Sequence, residues 1–401
     1  MASLESHPPN PHRPVRQLVV LPDHGKDASG AGIQSALGLK VMSSDEWSGQ
    51  DERLAEREAV IFRKLGIALI YAEPMLISQS SMLGHSEIEG QVALFDSPPG
   101  CEIAPAGACV ADSALEAWGL QATAVIASNS TGANVRVCVM DTGVDFTHPD
   151  LANKNGGPAK AFGGATTIHD SKGHGTHCAG IVCGMRTAPP PATVPEPWRY
   201  SVAPPVELAV ARVFNGLDPR VPEGRIVAAL DWAVQNHCAV VSMAFGFVWP
   251  GTGYSIPIET AVQNALAAGT VVIAGTGNVS VRPNFVHPTF HPARCPTVVA
   301  VGAVDFCDRL SKFSNGAVPG KGGKVDIVGP GEGVYSAWLH KSRFPNRGTS
   351  MATAFVAGIA ALHKSANPSM SGAALRSALL SRVKTLPYSA DDVGRGLALA
   401  P

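Results

Sequence analysis

Over most of the chain, short apolar runs alternate with segments whose apolar residues recur at helical spacing. Four of these runs, at 206–213, 239–243, 270–274 and 297–303, predict buried strands. Segment 226–236, between the first two runs, predicts a helix. Strands that alternate with helices favour an α/β fold, in which a mostly parallel sheet carries helices on both faces.

The N-terminal region shows a different pattern. Apolar runs at 16–22, 67–74 and 91–95 predict three strands. Residues 51–65 combine charged and apolar positions at helical spacing, which predicts a helix. Together these elements predict a small α+β domain, and it carries no motif that suggests catalysis.

Changes in composition mark the expected domain boundaries. A start rich in Pro and His predicts a mobile tail, and a stretch rich in Pro, Gly and Ala predicts a linker. The expected divisions are a tail over 1–15, the small domain over 16–98, the linker over 99–114 and the large domain over 115–401.

A serine stands at the start of an apolar helix late in the chain. Gly348, Thr349 and Ser350 predict a tight turn, and the apolar segment 350–364 that follows predicts a buried helix. A serine there lies among unpaired amide groups at the positive end of the helix dipole, which suits an oxyanion forming beside it. The alternative is that Ser350 simply caps the helix.

Two other segments supply groups that could activate this serine. The alternating run 135–141 predicts a buried strand that delivers Asp141 at the carboxyl edge of the sheet. Further along, His174 opens a second helix of small residues. Histidine has an ordinary pKa of about 6.5, so it can remove a proton from a serine and return it to a leaving amine.

The three segments, in the order Asp141, His174 and Ser350, resemble the signature blocks of the subtilisin-like serine peptidases. The run 275–278, Gly-Thr-Gly-Asn, is similar to that family's oxyanion motif, and the resemblance covers about residues 113–401. It implies a serine endopeptidase that works through an acyl-enzyme without a cofactor. Asn278 and the Ser350 backbone N–H would bind the oxyanion.

The resemblance also implies where a peptide or protein substrate binds. An extended substrate is expected to pair with the backbone of Ala244, Phe245 and Gly246, with Gly277 beside them and segment 218–222 on the opposite rim. The loop 279–292 should close the first specificity pocket. Within that loop, Phe290 either narrows the pocket or belongs to the ordinary core.

The small domain resembles the inhibitory propeptide of the same family in size and position. It is therefore expected to act as an intramolecular inhibitor or folding chaperone, released by cleavage in the linker. A catalytically idle member of the family that binds peptides is the alternative function. The presence of Asp141, His174, Ser350 and Asn278 together argues for the enzyme, since a binding module has no chemical need for all four.

Metal binding is not expected. His174, His177 and Cys178 form a cluster, but no second Cys/His cluster lies at zinc-like spacing, and His177 is expected to pack. Segment 184–200 lacks the Asn-rich loop that binds calcium in many relatives. Asp150, expected to be a helix cap, cannot alone supply the roughly six to eight oxygens that calcium needs.

Composition narrows the partners and the location. A formal net charge of −1 argues against a nucleic-acid partner. The longest apolar stretch, about 238–248, is shorter than the 18 or so residues that cross a membrane, so no membrane association is expected. The N-terminal residues lack the pattern of a secretory signal, which predicts a cytoplasmic protein or export by a non-standard route.

The cysteines divide into two groups. Five lie in apolar contexts and are expected to be buried thiols: Cys138, Cys178, Cys183, Cys238 and Cys295. Cys178 resembles the cysteine near the catalytic histidine in the proteinase K-like branch, where packing is its expected role. Cys101 and Cys109 flank a short loop and could pair with each other.

Overall fold

A computed structural model describes residues 13–21, 33–34, 37–45, 47, 54–80, 83–95, 109–187, 198–215 and 220–401. Most of the expected tail, most of the expected linker, and Cys101 therefore lie outside the described residues. No helix within the described ranges is long and apolar enough to span a bilayer.

Besides helical residues at 33–34 and 37, the described part of residues 13–95 contains six strands and one short helix. They are β1 (Val15–Val20), β2 (Lys40–Ser43), β3 (Glu58–Phe62), β4 (Ile67–Ala72), α1 (Pro74–Ser78), β5 (Ser86–Ile88) and β6 (Gln91–Leu94). The first five strands form one sheet in the spatial order β2, β3, β4, β1, β5, in which only the β2–β3 pair is parallel. The strands predicted at 16–22, 67–74 and 91–95 are confirmed as β1, β4 and β6. We call residues 13–95 the N-terminal unit.

The helix predicted over 51–65 is wrong. Residues 58–62 form β3, which lies between β2 and β4, and its last four residues are all buried. The sheet has apolar cover on both faces, with Val60 and Phe62 in one cluster and Ala59 and Ile61 in another. A strand covered in this way shows no apolar–polar alternation, so its sequence does not distinguish it from a buried helix segment.

The described residues from 109 onward contribute thirteen strands. They are β7 (Arg136–Asp141), β8 (Ala159–Ala161), β9 (Glu207–Arg212), β10 (Arg220–Pro222), β11 (Val240–Met243), β12 (Phe245–Gly246), β13 (Val271–Gly275), β14 (Val299–Val304), β15 (Ile327–Pro330), β16 (Val334–Ala337), β17 (Arg343–Asn346), β18 (Val383–Lys384) and β19 (Leu397–Ala398). The strands predicted at 206–213, 239–243, 270–274 and 297–303 are confirmed as β9, β11, β13 and β14.

Seven α-helices accompany these strands. They are α2 (Trp118–Ala122), α3 (His174–Cys183), α4 (Glu223–Gln235), α5 (Ile256–Ala267), α6 (Thr349–Ala366), α7 (Gly372–Ser381) and α8 (Ala390–Val393). The helices expected at 226–236, after His174 and over 350–364 are confirmed as α4, α3 and α6.

Nine of these strands form the central sheet, in the order β18, β19, β15, β14, β13, β11, β7, β9, β8. All neighbouring pairs are parallel except β18–β19. Alternate residues of β7 face opposite sides: Val137 and Val139 pack in the cluster that contains α3 and α6, whereas Cys138 and Met140 pack with α4 and α5. The expected α/β fold with helices on both faces is confirmed.

The cysteine pairing differs from the expectation. Cys109 forms a disulfide with Cys307, in the loop after β14, and the Val110 amide donates to the Phe306 carbonyl at 2.9 Å. The Cys101–Cys109 pairing is therefore wrong, because the fold brings a residue distant in sequence next to Cys109. The five cysteines expected to be buried thiols are free and buried.

Candidate active site

Asp141 and His174 are held together at the carboxyl edge of the central sheet. Asp141 ends β7 and is fully buried, and its two carboxylate oxygens lie 2.8 and 2.9 Å from His174 Nδ1. Gly173 precedes His174 at φ +90°, where an added Cβ would come within 2.4 Å of Trp338. Only glycine suits this turn, and the turn aims the first residue of α3 at Asp141.

The electrostatics of this pair favour the charged imidazole. Burial disfavours the imidazolium of His174, but the adjacent carboxylate of Asp141 outweighs burial, so the pKa of His174 is raised well above its ordinary value. Cys178 Sγ lies 3.9 Å from His174 Nδ1, and burial raises the pKa of this thiol. Cys178 is therefore a neutral neighbour beneath the histidine, as a packing role requires.

Ser350 occupies the first turn of α6. It is 2% exposed, and its hydroxyl donates to the Ala244 carbonyl at 3.1 Å. No hydrogen bond joins Ser350 to His174 within the part of the chain that the structure describes, although α3 and α6 pack against each other. The N-cap of α6 is Gly348, so the interpretation of Ser350 as a capping residue is wrong.

Asn278 lies after β13, beside the same helix end. Its Oδ1 accepts from both the backbone N–H and the hydroxyl of Thr349, each at 2.9 Å. Fixing the amide oxygen also fixes the direction of the Nδ2 donor, which lies beside Gly348. The structure thus brings a side-chain amide and the backbone N–H groups of one helix end together next to Ser350, which is the arrangement that stabilises an oxyanion.

His177 is packed against aromatic rings. Its Nε2 lies 3.2 Å from the Phe344 carbonyl, and its ring contacts Trp338 and Phe344. Burial lowers the pKa of His177 to about 3, so it stays neutral.

Among the described residues, one group has potential ligand atoms close enough together to bind a single metal ion: Asp141, His174 and Cys178. Because Asp141 already binds His174 and Cys178 is a neutral thiol, this group does not form a ready metal site.

Asp150 forms a buried ion pair and caps no helix. Arg343 donates to both of its carboxylate oxygens at 2.5 Å, and the Tyr200 hydroxyl donates to one of them at 2.7 Å. Burial opposes ionisation of Asp150, but these hydrogen bonds outweigh it and lower its pKa. The helix-cap expectation is wrong, since the short 3₁₀-helix Ala152–Lys154 has no side-chain cap.

The residues described around Asp150 do not fit calcium. A calcium ion needs about six to eight oxygen ligands. Here the guanidinium of Arg343 binds both carboxylate oxygens of Asp150. A divalent cation would also be repelled by Arg343. Residues 188–197, part of the segment expected to lack a calcium loop, lie outside the described residues.

A strand of the N-terminal unit lies where a substrate is expected. β6 is the central strand of a three-stranded antiparallel sheet between β10 and β12. β12 is Phe245–Gly246, part of the predicted substrate rim, and β10 supplies residues 220–222 of the predicted opposite rim. Residues 218 and 219 lie outside the described ranges.

The Phe290 ring forms a wall beside the end of β6. Its ring centroid is 5.7 Å from that of Phe95, the residue after β6. Gly277, at φ +108°, packs against this wall, because an added Cβ would come within 3.0 Å of the Phe290 ring. Phe290 is 8% exposed, and its contact with Phe95 is compatible with both interpretations, a pocket wall and ordinary core.

Two glutamates of the N-terminal unit were missed by the sequence analysis. Glu89 Oε1 accepts from the Gly224 amide at 2.7 Å, at the start of α4, and Glu87 Oε1 accepts from the Ile256 amide at 3.0 Å, at the start of α5. Burial raises the pKa of Glu89 in spite of its salt bridge to Arg16. The sequence carries no signal of these contacts, because the two helix ends lie far along the chain.

Comparison with known proteins agrees with this geometry. A family model described as the subtilase family matches residues 132–396. Subtilisin BL of Lederbergia lenta is 35% identical over 286 residues, which cover 71% of this chain and 96% of that protein. Subtilisin DY of Bacillus licheniformis is 34% identical over 267 residues, 67% of this chain and 90% of that protein. An alkaline protease of Shouchella clausii is 35% identical over 286 residues, which cover 71% of this chain and 68% of that protein.

Proposed function

Since the chain belongs to the subtilase family of serine endopeptidases, which act on proteins or peptides, we propose how its residues divide the work. Ser350, His174 and Asp141 form the catalytic triad, and Asn278 supplies one oxyanion donor. The N-terminal unit is an inhibitor of the same active site. The contact between Asp141 and His174 at the carboxyl edge of the sheet is the observation that carries the first assignment.

The proposed chemistry begins with proton removal. The Ser350 hydroxyl turns from the Ala244 carbonyl to His174, gives up its proton and attacks the substrate carbonyl. The oxyanion is held by the Asn278 amide and the Ser350 backbone N–H. His174 then protonates the leaving amine, while Asp141 holds the imidazole tautomer and stabilises its charge. Water hydrolyses the acyl-enzyme by the same route in reverse.

The position of β6 supports the inhibitor assignment. An extended substrate satisfies its backbone by adding to a sheet edge, and β6 already pairs with both rims of this cleft. The covalent connection keeps the unit at high local concentration, so a substrate must compete with it. A docked unit that presents strands to α4 and α5 would also assist folding of a sheet with many long-range contacts.

A fluorophosphonate probe and the state of the chain test both assignments. The wild-type chain should cut itself near the end of the N-terminal unit and then label with the probe, whereas Ser350→Ala should stay full length and unlabelled. Cys178→Ala is the matched control, since it removes the other nucleophilic side chain near His174. It should process and label like wild type.

Two outcomes would contradict the proposal. Loss of labelling in a correctly folded Cys178→Ala would assign the attacking group to the cysteine. A wild-type chain that neither cuts itself nor labels after dissociation of the N-terminal unit would favour the idle peptide-binding module.

A further inference from the structure

A second buried carboxylate lies beside the turn that carries His174, outside the proposed triad. Asp170 is fully buried. Its Oδ1 accepts from the backbone N–H groups of Lys172 and Gly173, each at 2.8 Å. Its Oδ2 accepts from the backbone N–H of Thr176 at 2.9 Å and from the Thr176 hydroxyl at 2.7 Å. One side chain therefore binds the chain both before and after the histidine.

The Thr176 hydroxyl extends this set of bonds to the turn that follows β7. It accepts from the Asp145 backbone N–H at 3.0 Å while it donates to Asp170. A second hydroxyl bridges the same two turns, since Thr142 Oγ1 accepts from the Gly175 N–H at 2.9 Å. We call the side chains of Asp170, Thr176 and Thr142 the polar link. It joins the chain after β7 to the first turn of α3.

The two turns approach each other backbone to backbone. A Cβ added to Gly175 would come within 2.2 Å of the Gly143 carbonyl oxygen. Glycine permits this approach, whereas the hydrogen bonds of the polar link give it a direction. Bonds to a carboxylate are about twice as strong as bonds between neutral groups. The four bonds to Asp170 therefore give the link most of its strength.

We infer that Asp170 is a positioning residue for catalysis, which acts through the polar link to hold His174 at hydrogen-bonding distance from Asp141. This inference rests on the proposed function. Asp170 contacts neither the substrate nor the reacting atoms of the proposed mechanism, so its effect must pass through the histidine. A displacement of about 1 Å in a catalytic site can cost about 10²-fold in rate.

The position of the histidine also has an electrostatic consequence. Two titratable groups face His174, Asp141 from β7 and Cys178 from α3, and the Asp141 carboxylate raises the pKa of His174. A weaker polar link would loosen this contact and lower that pKa. His174 must be neutral to accept the serine proton, so the acid limb of the kcat/KM profile would move to lower pH.

Asp170→Asn in the processed enzyme is the first test. The amide keeps the shape of the side chain but turns one acceptor into a donor, which opposes the N–H groups that it meets. We expect kcat per probe-labelled site to fall about 10- to 100-fold, with KM changed less than about threefold. The acid limb of the kcat/KM profile should move to lower pH.

Asp145→Asn is the matched control. Asp145 is also buried, and its Oδ1 accepts from the backbone N–H of Thr147 at 2.9 Å and from the Thr147 hydroxyl at 2.6 Å. The substitution disturbs the same kind of bond in a carboxylate that is not part of the polar link. We expect kcat within about threefold of wild type and an unchanged acid limb.

Two changes at Thr176 separate the hydrogen bonds from the charge of Asp170. Thr176→Val removes the hydroxyl that joins Asp170 to the turn after β7 and leaves the carboxylate in place. It should lower kcat about 5- to 20-fold and move the acid limb in the same direction as Asp170→Asn. Thr176→Ser keeps the hydroxyl and should stay within about threefold of wild type.

A merely structural role would give a different result. An Asp170→Asn enzyme that unfolds at lower denaturant but keeps the wild-type kcat per labelled site and acid limb would overturn the inference. If Asp170→Asn does not fold, the Thr176 variants decide, and equal kcat and acid limbs for Val and Ser would overturn it as well. Either result leaves the proposed triad standing. Absence of labelling and hydrolysis in the wild type would overturn the proposed function, and this inference with it.

Discussion

The helices on the two faces of the central sheet use their N-terminal ends for different purposes. On one face, α3 and α6 begin at His174 and Thr349, and their ends carry the candidate catalytic groups. On the other face, α4 and α5 receive Glu89 and Glu87 from the N-terminal unit. Both ends offer unpaired N–H groups and a positive dipole. The first face would meet a transient oxyanion, whereas the second binds glutamate side chains of the N-terminal unit.

The two regions also differ in what surrounds them. In α6, every residue from 349 to 363 is buried within one continuous core. By contrast, the α4–α5 face is covered by a separate unit, whose Leu18, Val60 and Phe62 pack into the same cluster as those helices. Changes on the first face should therefore remove chemistry or unfold the domain, whereas changes on the second should alter how tightly the unit binds.

The largest effect is expected from the triad. Ser350→Ala or His174→Ala should each lower kcat by roughly 10⁶-fold, as for a relative in which these groups act in one step. Steady-state kinetics of the dissociated enzyme would measure it. The double variant should be little worse than either single one. If His174→Ala kept more than about a tenth of the rate, the assignment of the base would be wrong.

Breaking the Asp150–Arg343 pair should cost stability and spare the chemistry. Arg343→Met leaves a buried carboxylate without its cation, and we expect a loss of about 3 kcal/mol, near the lower end for buried pairs because Arg343 is partly exposed. Denaturant unfolding of the Ser350→Ala background would measure this loss without self-digestion.

Arg309→Met is the matched control, since the Arg309 side chain is half exposed where it pairs with Asp305 and should contribute less than about 1 kcal/mol. Calcium and chelators should leave the unfolding midpoint of the parent unchanged. A chelator-dependent loss of stability in the parent that Asp150→Asn abolishes would show that a cation binds at Asp150 after all.

Asn278→Leu tests the oxyanion donor. We expect kcat to fall about 10²- to 10³-fold, the effect measured for the equivalent change in a subtilisin, with KM nearly unchanged because the donor acts in the transition state. Thr349→Val is the comparison variant, since it keeps the amide but removes one hydrogen bond that orients it. A fall in kcat after Thr349→Val that equalled the fall after Asn278→Leu would point to general disruption of the turn.

The smallest effects belong to the docking face. Glu89→Ala or Glu87→Ala should each weaken binding of the cleaved N-terminal unit about tenfold, since each removes a carboxylate from a helix end. The dilution at which the probe begins to label the processed complex would measure this. Glu58→Ala is the control, because Glu58 binds Lys40 and Ala55 within its own unit. If Glu58→Ala changed that dilution as much as Glu89→Ala did, the measurement would report unfolding of the unit and not its docking.

The cytoplasmic location expected from the sequence stays a prediction. The Cys109–Cys307 disulfide argues in the other direction, because such bonds persist mainly in oxidising compartments. Fractionation of cells, combined with thiol labelling of Cys307, would decide between them.

The sequence by itself determined the central α/β pattern and predicted the candidate triad, of which the structure brings Asp141 and His174 into contact. Strands and helices leave local apolar patterns, and the starts of the helices at Thr349 and His174 are indicated by the few residues around them. The family resemblance, and not a local pattern, indicated the rim at Phe245–Gly246, where a substrate strand was expected to pair.

Only the tertiary structure decided which distant groups meet. The strand character of residues 58–62, the bond between Cys109 and Cys307, the pairing of Asp150 with Arg343, and the contact of Phe95 with Phe290 all join residues whose local sequence says nothing about each other. Burial makes β3 apolar on both faces and so erases its periodicity. The other three are long-range contacts, which depend on how the chain packs as a whole and leave no trace in the spacing of nearby residues.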